Sequence, residues 1–187
     1  PMPIVEKSDL DVYSLVNPQN SIGRLGGFHG NFGVLIRAYA YIRSMGAQGI
    51  REISSNSIIN ANYILSQLKD YYDLPYNRLC MHEVVISAKR QKTHGIRALD
   101  IAKRLIDHGI HPPTMYFPLT VEEALMIEPT ETESKETIDH FIDVMIEIAK
   151  EAEENPQLLK EAPHDTPNTR LDEAQAARRP DLRWSGQ

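Results

Sequence analysis

Apolar residues recur with a helical period over residues 31–72. One stripe contains Leu35, Ala38, Ile42 and Met45, and a second contains Ile58, Ala61, Leu65, Leu68 and Tyr72. Steps of three and four residues place such side chains on one face of a helix. Gly46 lies between the stripes, so the pattern predicts either two consecutive helices or one long helix kinked near Met45-Gly46.

The following part of the chain alternates short apolar runs with helical stripes. Three runs predict strands: Val84-Val85-Ile86, which we expect to be buried on both faces, Met115-Tyr116-Phe117 and Leu125-Met126-Ile127. One stripe from Ala98 to Ile106 predicts a helix that ends at Gly109, and a second from Ile138 to Ile148 predicts a helix whose start is capped within 130–134. The order β-α-β-β-α predicts a small α+β sandwich with two helices on one face of a sheet.

These patterns divide the chain into four zones. Residues 1–30 form an irregular segment with prolines and the glycines Gly23, Gly26, Gly27 and Gly30, and residues 31–76 form the long helices. Residues 77–152 form the small α+β domain. Residues 153–187 lose periodicity and contain four prolines, so they predict either a solvated tail or an extended arm lying across a neighbouring surface. The isolated apolar residues Leu182 and Trp184 are compatible with the arm.

Composition narrows the class of protein. The 187 residues are 41% hydrophobic and 25% charged, and the formal net charge of −6 gives no basic field for nucleic acid. The single cysteine, Cys80, excludes an internal disulfide, and no apolar run is long enough for a membrane helix. Because the first residues also lack a signal-peptide pattern, we expect a cytoplasmic protein without nucleic-acid or membrane partners.

Isolated titratable residues give weak signals for a site. His108 and His111 are three residues apart, as in some metal sites, but no third ligand is near in sequence. Cys80 lies two residues before His82 without a group that would orient the histidine for nucleophilic catalysis. We interpret all four as ordinary surface, cap or structural residues and predict no metal site.

Two proline-containing segments are more informative. In His111-Pro112-Pro113-Thr114 the prolines restrict the backbone before a strand, which would fix His111 and Thr114 at its mouth. In Ile127-Glu128-Pro129-Thr130 a strand leads into a helix start, where backbone N–H groups can hold an anion. A rigid connection and a plain helix cap are the structural alternatives.

Polar aromatic and amide side chains crowd the helical zone. The tyrosines are Tyr39, Tyr41, Tyr63, Tyr71, Tyr72 and Tyr76, and the asparagines that lie among apolar neighbours are Asn56, Asn60 and Asn62. Core packing with satisfied polar edges is the usual explanation. Their number is high for helices with one solvated side, which suggests that the helices pack against more protein than this chain contains.

Several sequence blocks together resemble a known family. They are Gly30-Asn31-Phe32-Gly33-Val34, Ile59-Asn60-Ala61-Asn62-Tyr63, Met81-His82-Glu83, Asp100-Ile101-Ala102-Lys103-Arg104-Leu105, His111-Pro112-Pro113-Thr114 and the segment from Met126 to Glu136. Their order and spacing resemble the C-terminal part of glycine dehydrogenase (decarboxylating), the P-protein of the glycine cleavage system. The closing Glu161-Ala162-Pro163-His164 and Arg170-Leu171-Asp172-Glu173 resemble subunit 2 of the two-subunit prokaryotic form.

The resemblance implies a fold, a reaction and partners. It implies the aspartate aminotransferase-like fold, type I of the pyridoxal phosphate enzymes, with residues 1–30 ending a large domain and 77–152 forming the small one. Glycine would lose its carboxylate as CO2, and its aminomethyl group would pass to the lipoyl group of the H-protein. The cofactor supplies the electron sink. The expected partners are subunit 1, in a heterotetramer, the H-protein and glycine.

The same resemblance limits what this chain can do. In the family the lysine that bears the cofactor precedes the matched region, and Lys89, Lys92 and Lys103 do not stand in its motif. We therefore predict no catalytic residue and no bound pyridoxal phosphate in this chain, no identified cofactor-binding residue, and no activity of the chain alone. The substrate-side candidates are His111 and Thr114, with Glu128 and Thr130 behind them. A free-standing α+β module that binds a partner protein is the alternative.

Overall fold

The computed structural model describes residues 3–23 and 30–184. The chain divides into two compact units, Pro1–Ile50 and Arg51–Gln187. Gly26 and Gly27 of the glycine-rich run lie outside the described residues. The sheet and the candidate site both belong to the second unit.

The first unit begins with a hairpin that the sequence patterns did not predict. Strands β1 (Ile4–Lys7) and β2 (Tyr13–Val16) pair antiparallel, with Ile4 opposite Val16. Asp11 adopts a left-handed backbone in the turn and forms an ion pair with Lys7. The irregular interpretation of 1–30 is therefore wrong for these strands, whose side chains are almost all exposed and lack the alternation that burial of one face imposes.

Helix α1 extends over Phe32–Leu68 and is interrupted at Gly46. Gly46 has φ 64° and ψ −176°, a conformation that is essentially restricted to glycine. The predicted interruption is thus confirmed. The large apolar side chains of α1 between Phe32 and Ile50 are exposed. In the later part of the zone, by contrast, Ala61, Ile64, Leu68 and Tyr72 are buried.

The second unit contains a three-stranded antiparallel sheet with the order β3–β5–β4. Its strands are β3 (Val84–Ser87), β4 (Thr114–Met115) and β5 (Ala124–Ile127). The predicted strand 115–117 is wrong at its end because Tyr116 has φ 57°, which stops the extended backbone. The expected burial of β3 on both faces is also wrong, since Val85 is only half-buried.

Three helices accompany the sheet: α2 (Lys89–Lys92), α3 (Ala98–Asp107) and α4 (Lys135–Glu154). Asp100 accepts a hydrogen bond from the Arg97 backbone N–H at the start of α3, and Ser134 accepts one from Thr137 at the start of α4. Both helices contribute to one core with β3 and β5, which includes Ile86, Ile101, Leu125, Met145 and Ile148. The α+β class is as predicted.

The C-terminal zone is more ordered than an extended arm. It contains α5 (Pro156–Glu161) and α6 (Glu173–Arg178), and Leu159 at the end of α5 is fully buried in the core. The prediction of an extended arm over 153–187 is therefore wrong for α5 and α6. At α5, Pro156 occupies the first helical position, where a proline begins a helix rather than preventing one. Leu182 and Trp184 are each 90% exposed and do not lie across a surface of the described chain. No helix in the described ranges has the length and apolar character that a membrane crossing requires.

Candidate functional site

The β3–β5–β4 sheet has one packed face and one face that borders cavities. Val84, Ile86, Leu125 and Ile127 form the core face. Val85, Met126 and Thr114 follow from the register as neighbours on the other side, which we name the open face. Two cavities of about 530 and 680 Å³ adjoin it, and Met126 lines both.

The first cavity, of about 530 Å³, brings together three of the four candidates from the sequence. His111, Thr114 and Glu128 line it, together with His108, Glu133 and His140. Pro112 and Pro113 also line this cavity, as expected for a rigid connection before β4. The functional role of these residues stays a prediction, but their proximity is a feature of the fold.

Thr130 is placed differently and does not line this cavity. Its hydroxyl lies 2.6 Å from that of Thr132, and its backbone carbonyl accepts a hydrogen bond of 3.0 Å from Asn60 Nδ2. Helix α4 is capped by Ser134 and not by Thr130. Thr130 therefore acts in the structure as a residue that fixes the loop after β5.

A second group of side chains combines Glu128, which lines the first cavity, with His82 and Glu83, which line the second. One donor atom each from His82, Glu83 and Glu128 lies within 4.8 Å of the other two. The register that pairs Val84 with Ile127 places Glu83 opposite Glu128 one step beyond the strand ends. Imidazole and carboxylate donors are ligands for divalent transition metals, so this is the group that could hold a metal ion among the residues described.

Sequence analysis missed this group because its members are 45 residues apart and meet only through strand pairing. The signal that could have revealed it is the pairing of the two short apolar runs, each flanked by an acidic residue. His108 and His111, by contrast, gain no third ligand within the described ranges. The Nε2 atom of His108 is buried and has no hydrogen-bond partner there.

Cys80 has the properties of a structural thiol. It is free and half-buried. Burial raises the pKa of its thiol, a backbone hydrogen bond opposes this by a smaller amount, and the charge of Glu83 adds a still smaller increase. A nucleophilic cysteine needs the opposite shift, toward the thiolate. The interpretation of Cys80 and His82 as a chance neighbour pair stays a prediction.

The second half of α1 anchors the loops around the site. Asn62 accepts a hydrogen bond of 3.0 Å from the Cys80 N–H and donates one of 2.8 Å to the Cys80 carbonyl. Tyr63 donates a hydrogen bond of 2.7 Å to Asp139 on α4. Hydrogen bonding to Lys135 and Tyr63 holds the pKa of Asp139 below its ordinary value. These contacts tie the loop before β3 and the first turn of α4 to one helix.

A family of known proteins has sequences similar to that of this chain. The sequence model for "Glycine dehydrogenase, C-terminal domain" matches residues 53–169. The chain belongs to this family. The matched residues include the sheet, α3, α4, α5 and the loops around the open face, so the candidate site lies wholly inside the family domain, whereas the β1–β2 hairpin lies outside it.

Individual relatives support the same assignment over nearly the whole chain. A probable glycine dehydrogenase (decarboxylating) subunit 2 of Bacillus cytotoxicus is 58% identical over 184 residues, or 98% of this chain and 38% of the relative. A protein of the same description from Staphylococcus haemolyticus is 58% identical over 98% of this chain and 37% of its own length. The chain thus spans less than two fifths of the length of these relatives.

A solved structure supports the fold. The apo structure of a cysteine desulfurase from Thermococcus onnurineus NA1 superposes with a TM-score of 0.55 over 78% of this chain and 37% of that protein, at 21% identity.

The resemblance of this chain to glycine dehydrogenase subunit 2 is confirmed by the family match and by the two bacterial relatives.

Proposed function

We propose that this chain forms the C-terminal part of a pyridoxal phosphate-dependent glycine decarboxylase, in which it builds the wall of the substrate cavity. The observation that carries the proposal is the 58% identity across 98% of the chain to glycine dehydrogenase (decarboxylating) subunit 2. The enzyme would release CO2 from glycine and pass the aminomethyl group to the lipoyl group of the H-protein. The expected location is the cytoplasm.

The first cavity supports a substrate-side role for this chain. His111, Thr114 and Glu128 offer an imidazole, a hydroxyl and a carboxylate around one space that is open to solvent. Such groups bind and orient a small polar substrate by hydrogen bonds, and they exclude water when the space is covered. Thr130 contributes by fixing the backbone of the loop that carries Glu128.

The residues described here do not fit pyridoxal phosphate. The residues that line the first cavity include Glu128 and Glu133 but no lysine or arginine among those described, and a phosphate dianion would lie against carboxylates. Arg78 is the cationic residue that lines the second cavity in the described part of the chain. We therefore propose that the cofactor is held by other parts of the whole enzyme, and that this chain alone is inactive.

The proposed partners are subunit 1, the H-protein and glycine. The relatives are described as subunit 2, which implies that a first subunit exists in those proteins. We propose that subunit 1 and the complete subunit 2 assemble as a heterotetramer. The H-protein would then deliver its lipoyl arm to the same substrate cavity.

The test reconstitutes the complete subunit 2 with subunit 1 and lipoylated H-protein and measures glycine-dependent exchange of labelled CO2. We expect exchange with the complete enzyme and none with residues 1–187 alone. H-protein without its lipoyl group is the control for transfer. A complete enzyme that exchanges no label from glycine would contradict the proposal.

A second measurement addresses the cofactor independently of activity. Residues 1–187 are incubated with pyridoxal phosphate, treated with borohydride and analysed by mass spectrometry. We expect no stoichiometric attachment to any lysine, whereas the complete subunit should be modified at one lysine outside this chain. Stable attachment to Lys89, Lys92 or Lys103 would overturn the assignment of the cofactor to the rest of the enzyme.

A further inference from the structure

Two half-buried asparagines on α1 each hold a different loop at the open face. Asn60 Nδ2 donates a hydrogen bond of 3.0 Å to the carbonyl of Thr130, 70 residues away. Asn62 binds both backbone groups of Cys80, as acceptor from the N–H at 3.0 Å and as donor to the carbonyl at 2.8 Å. Both contacts are long-range links between a helix side chain and loop backbone.

The two loops that are held in this way carry or adjoin His82, Glu83 and Glu128, whose donor atoms lie within 4.8 Å of one another. Cys80 lies two residues before His82 and three before Glu83, and Thr130 lies two residues after Glu128. Neither Glu83 nor Glu128 forms an ion pair with any residue of the described ranges, so the position of these carboxylates depends on the backbone that bears them. The asparagine amides are therefore the groups that fix this backbone from the helix side.

Asparagine has the chemistry that both positions require. Its amide carries a donor and an acceptor at a fixed separation, which matches the N–H and C=O of a single residue such as Cys80. Residues two apart on a helix point about 200° away from each other, so Asn60 and Asn62 reach different sides of α1. One rigid helix can thus restrain the separation of the two loops in addition to the pairing of β3 with β5.

We propose that Asn60 and Asn62 are positioning residues for Glu128 of the substrate site. Asn60 holds the loop that follows Glu128, and Asn62 holds the loop that brings His82 and Glu83 close to it. This inference rests on the proposed function of the chain as part of a glycine decarboxylase. The residues themselves do not contact substrate. Removing either amide leaves the core intact but lets one loop shift, and small displacements of binding groups reduce activity strongly.

The experiment compares Asn60→Ala, Asn62→Ala and the double variant in the complete two-subunit enzyme. We expect each single variant to lower kcat/KM for glycine about tenfold, through a rise in KM that exceeds the fall in kcat. Because the two loops meet at one group of side chains, the double variant should lose less than the product of the single losses.

Two control variants separate positioning from stability. Asn56→Ala removes an exposed asparagine of the same helix whose side chain makes no hydrogen bond within residues 3–23 and 30–184, and it should leave the kinetics unchanged. Ile101→Val removes a methylene from a fully buried residue of α3 that does not line either cavity. It should lower Tm without the tenfold loss in kcat/KM.

Hydrogen exchange gives a readout that does not depend on activity. Asn62→Ala should accelerate exchange of the Cys80 amide and its neighbours to residue 83, and Asn60→Ala should do so over residues 130–133. The amides of Ile86 and Leu125 should keep their protection in both. An unmodified enzyme without glycine-dependent exchange of CO2 would overturn the proposed function, whereas unchanged kinetics of the variants in an active enzyme would overturn this inference alone.

Discussion

The core face and the open face of the sheet use residues from the same strands, yet their surroundings differ. On the core face, Ile86 and Leu125 are fully buried against α3 and α4. On the open face, Val85 and Met126 are half-buried and border two cavities. The core face is arranged for packing, whereas the open face carries hydrogen-bonding and charged groups whose arrangement contributes little to stability. Substitutions on the two faces should therefore change the free energy of unfolding by different amounts, and in one case in the opposite direction.

The largest difference is expected for neighbouring residues of β5. Leu125→Ala should lower the free energy of unfolding by about 3 kcal/mol because it leaves a cavity in the core. Met126→Ala should lower it by only about 1 kcal/mol, since its side chain already borders open space. Urea denaturation of both variants measures the two values. Equal losses would contradict the distinction between the faces.

The second prediction concerns Arg170, whose side chain links α3 to α5 and the residue that follows it. Its guanidinium binds Asp100 at 2.7 Å and the carbonyls of Ala162 and Leu159 at 2.8 Å each. Arg170→Ala should cost about 2 kcal/mol because it leaves a buried carboxylate and two carbonyls without this donor.

Arg170→Lys is the matched control in the same denaturation experiment. Lysine keeps the charge but cannot reproduce the planar fork of donors, so it should recover only a minor part of the loss. Full recovery would show that charge alone holds the segment.

A smaller effect is expected at Asp107 and depends on pH. Burial alone would raise the pKa of this carboxyl, but hydrogen bonds from the backbone N–H groups of Asp165 and His164 and from Arg104 outweigh it and lower the pKa. A lowered pKa stabilises the folded state above the ordinary value of about 3.9, and this stabilisation is lost as pH falls through the folded-state pKa. The stability difference between the unmodified chain and Asp107→Asn should be constant near neutrality and narrow in acid. If the stability difference does not change with pH, the lowered pKa of Asp107 is not its cause.

The smallest effect should be an increase in the free energy of unfolding, whereas the other substitutions lower it. Glu83 and Glu128 lie opposite each other with His82 beside them, and like charges across a strand pair destabilise a sheet. Glu128→Gln should therefore raise the free energy of unfolding by about 0.5 kcal/mol in the absence of divalent cations. Thermal denaturation at low salt measures this shift, and Glu133→Gln, at an exposed loop position nearby, serves as the comparison. Destabilisation by Glu128→Gln would show that this carboxylate has a structural partner.

Sequence periodicity was sufficient for the elements that bury one face. The stripes of α3 and α4 and the apolar runs of β3 and β5 predicted their positions, because burial imposes a period on the sequence. The β1–β2 hairpin and α5 gave no such signal. The hairpin is exposed on both faces, and α5 is a short helix that starts at Pro156 and buries mainly Leu159.

The candidate site could be predicted only where its residues are local in sequence. His111 and Thr114 lie beside two prolines that mark a rigid connection, and the first cavity includes both. The approach of His82 and Glu83 to Glu128 depends on the register of β3 against β5, which periodicity does not specify between two short runs. The roles of Asn60 and Asn62 depend on loop backbone and have no sequence signature of their own.

The contacts of Arg170 also determine where the domain can be cut. A fragment that ends between Ala152 and Leu159 would lose Leu159 from the core, and one that ends anywhere before Arg170 would leave Asp100, which is 6% exposed, without its guanidinium. Cleavage after Leu171, which is 70% exposed, would remove α6 and leave every one of these contacts in place. The stable limit fragment of the family domain should therefore end just beyond Arg170 and not at the end of α4.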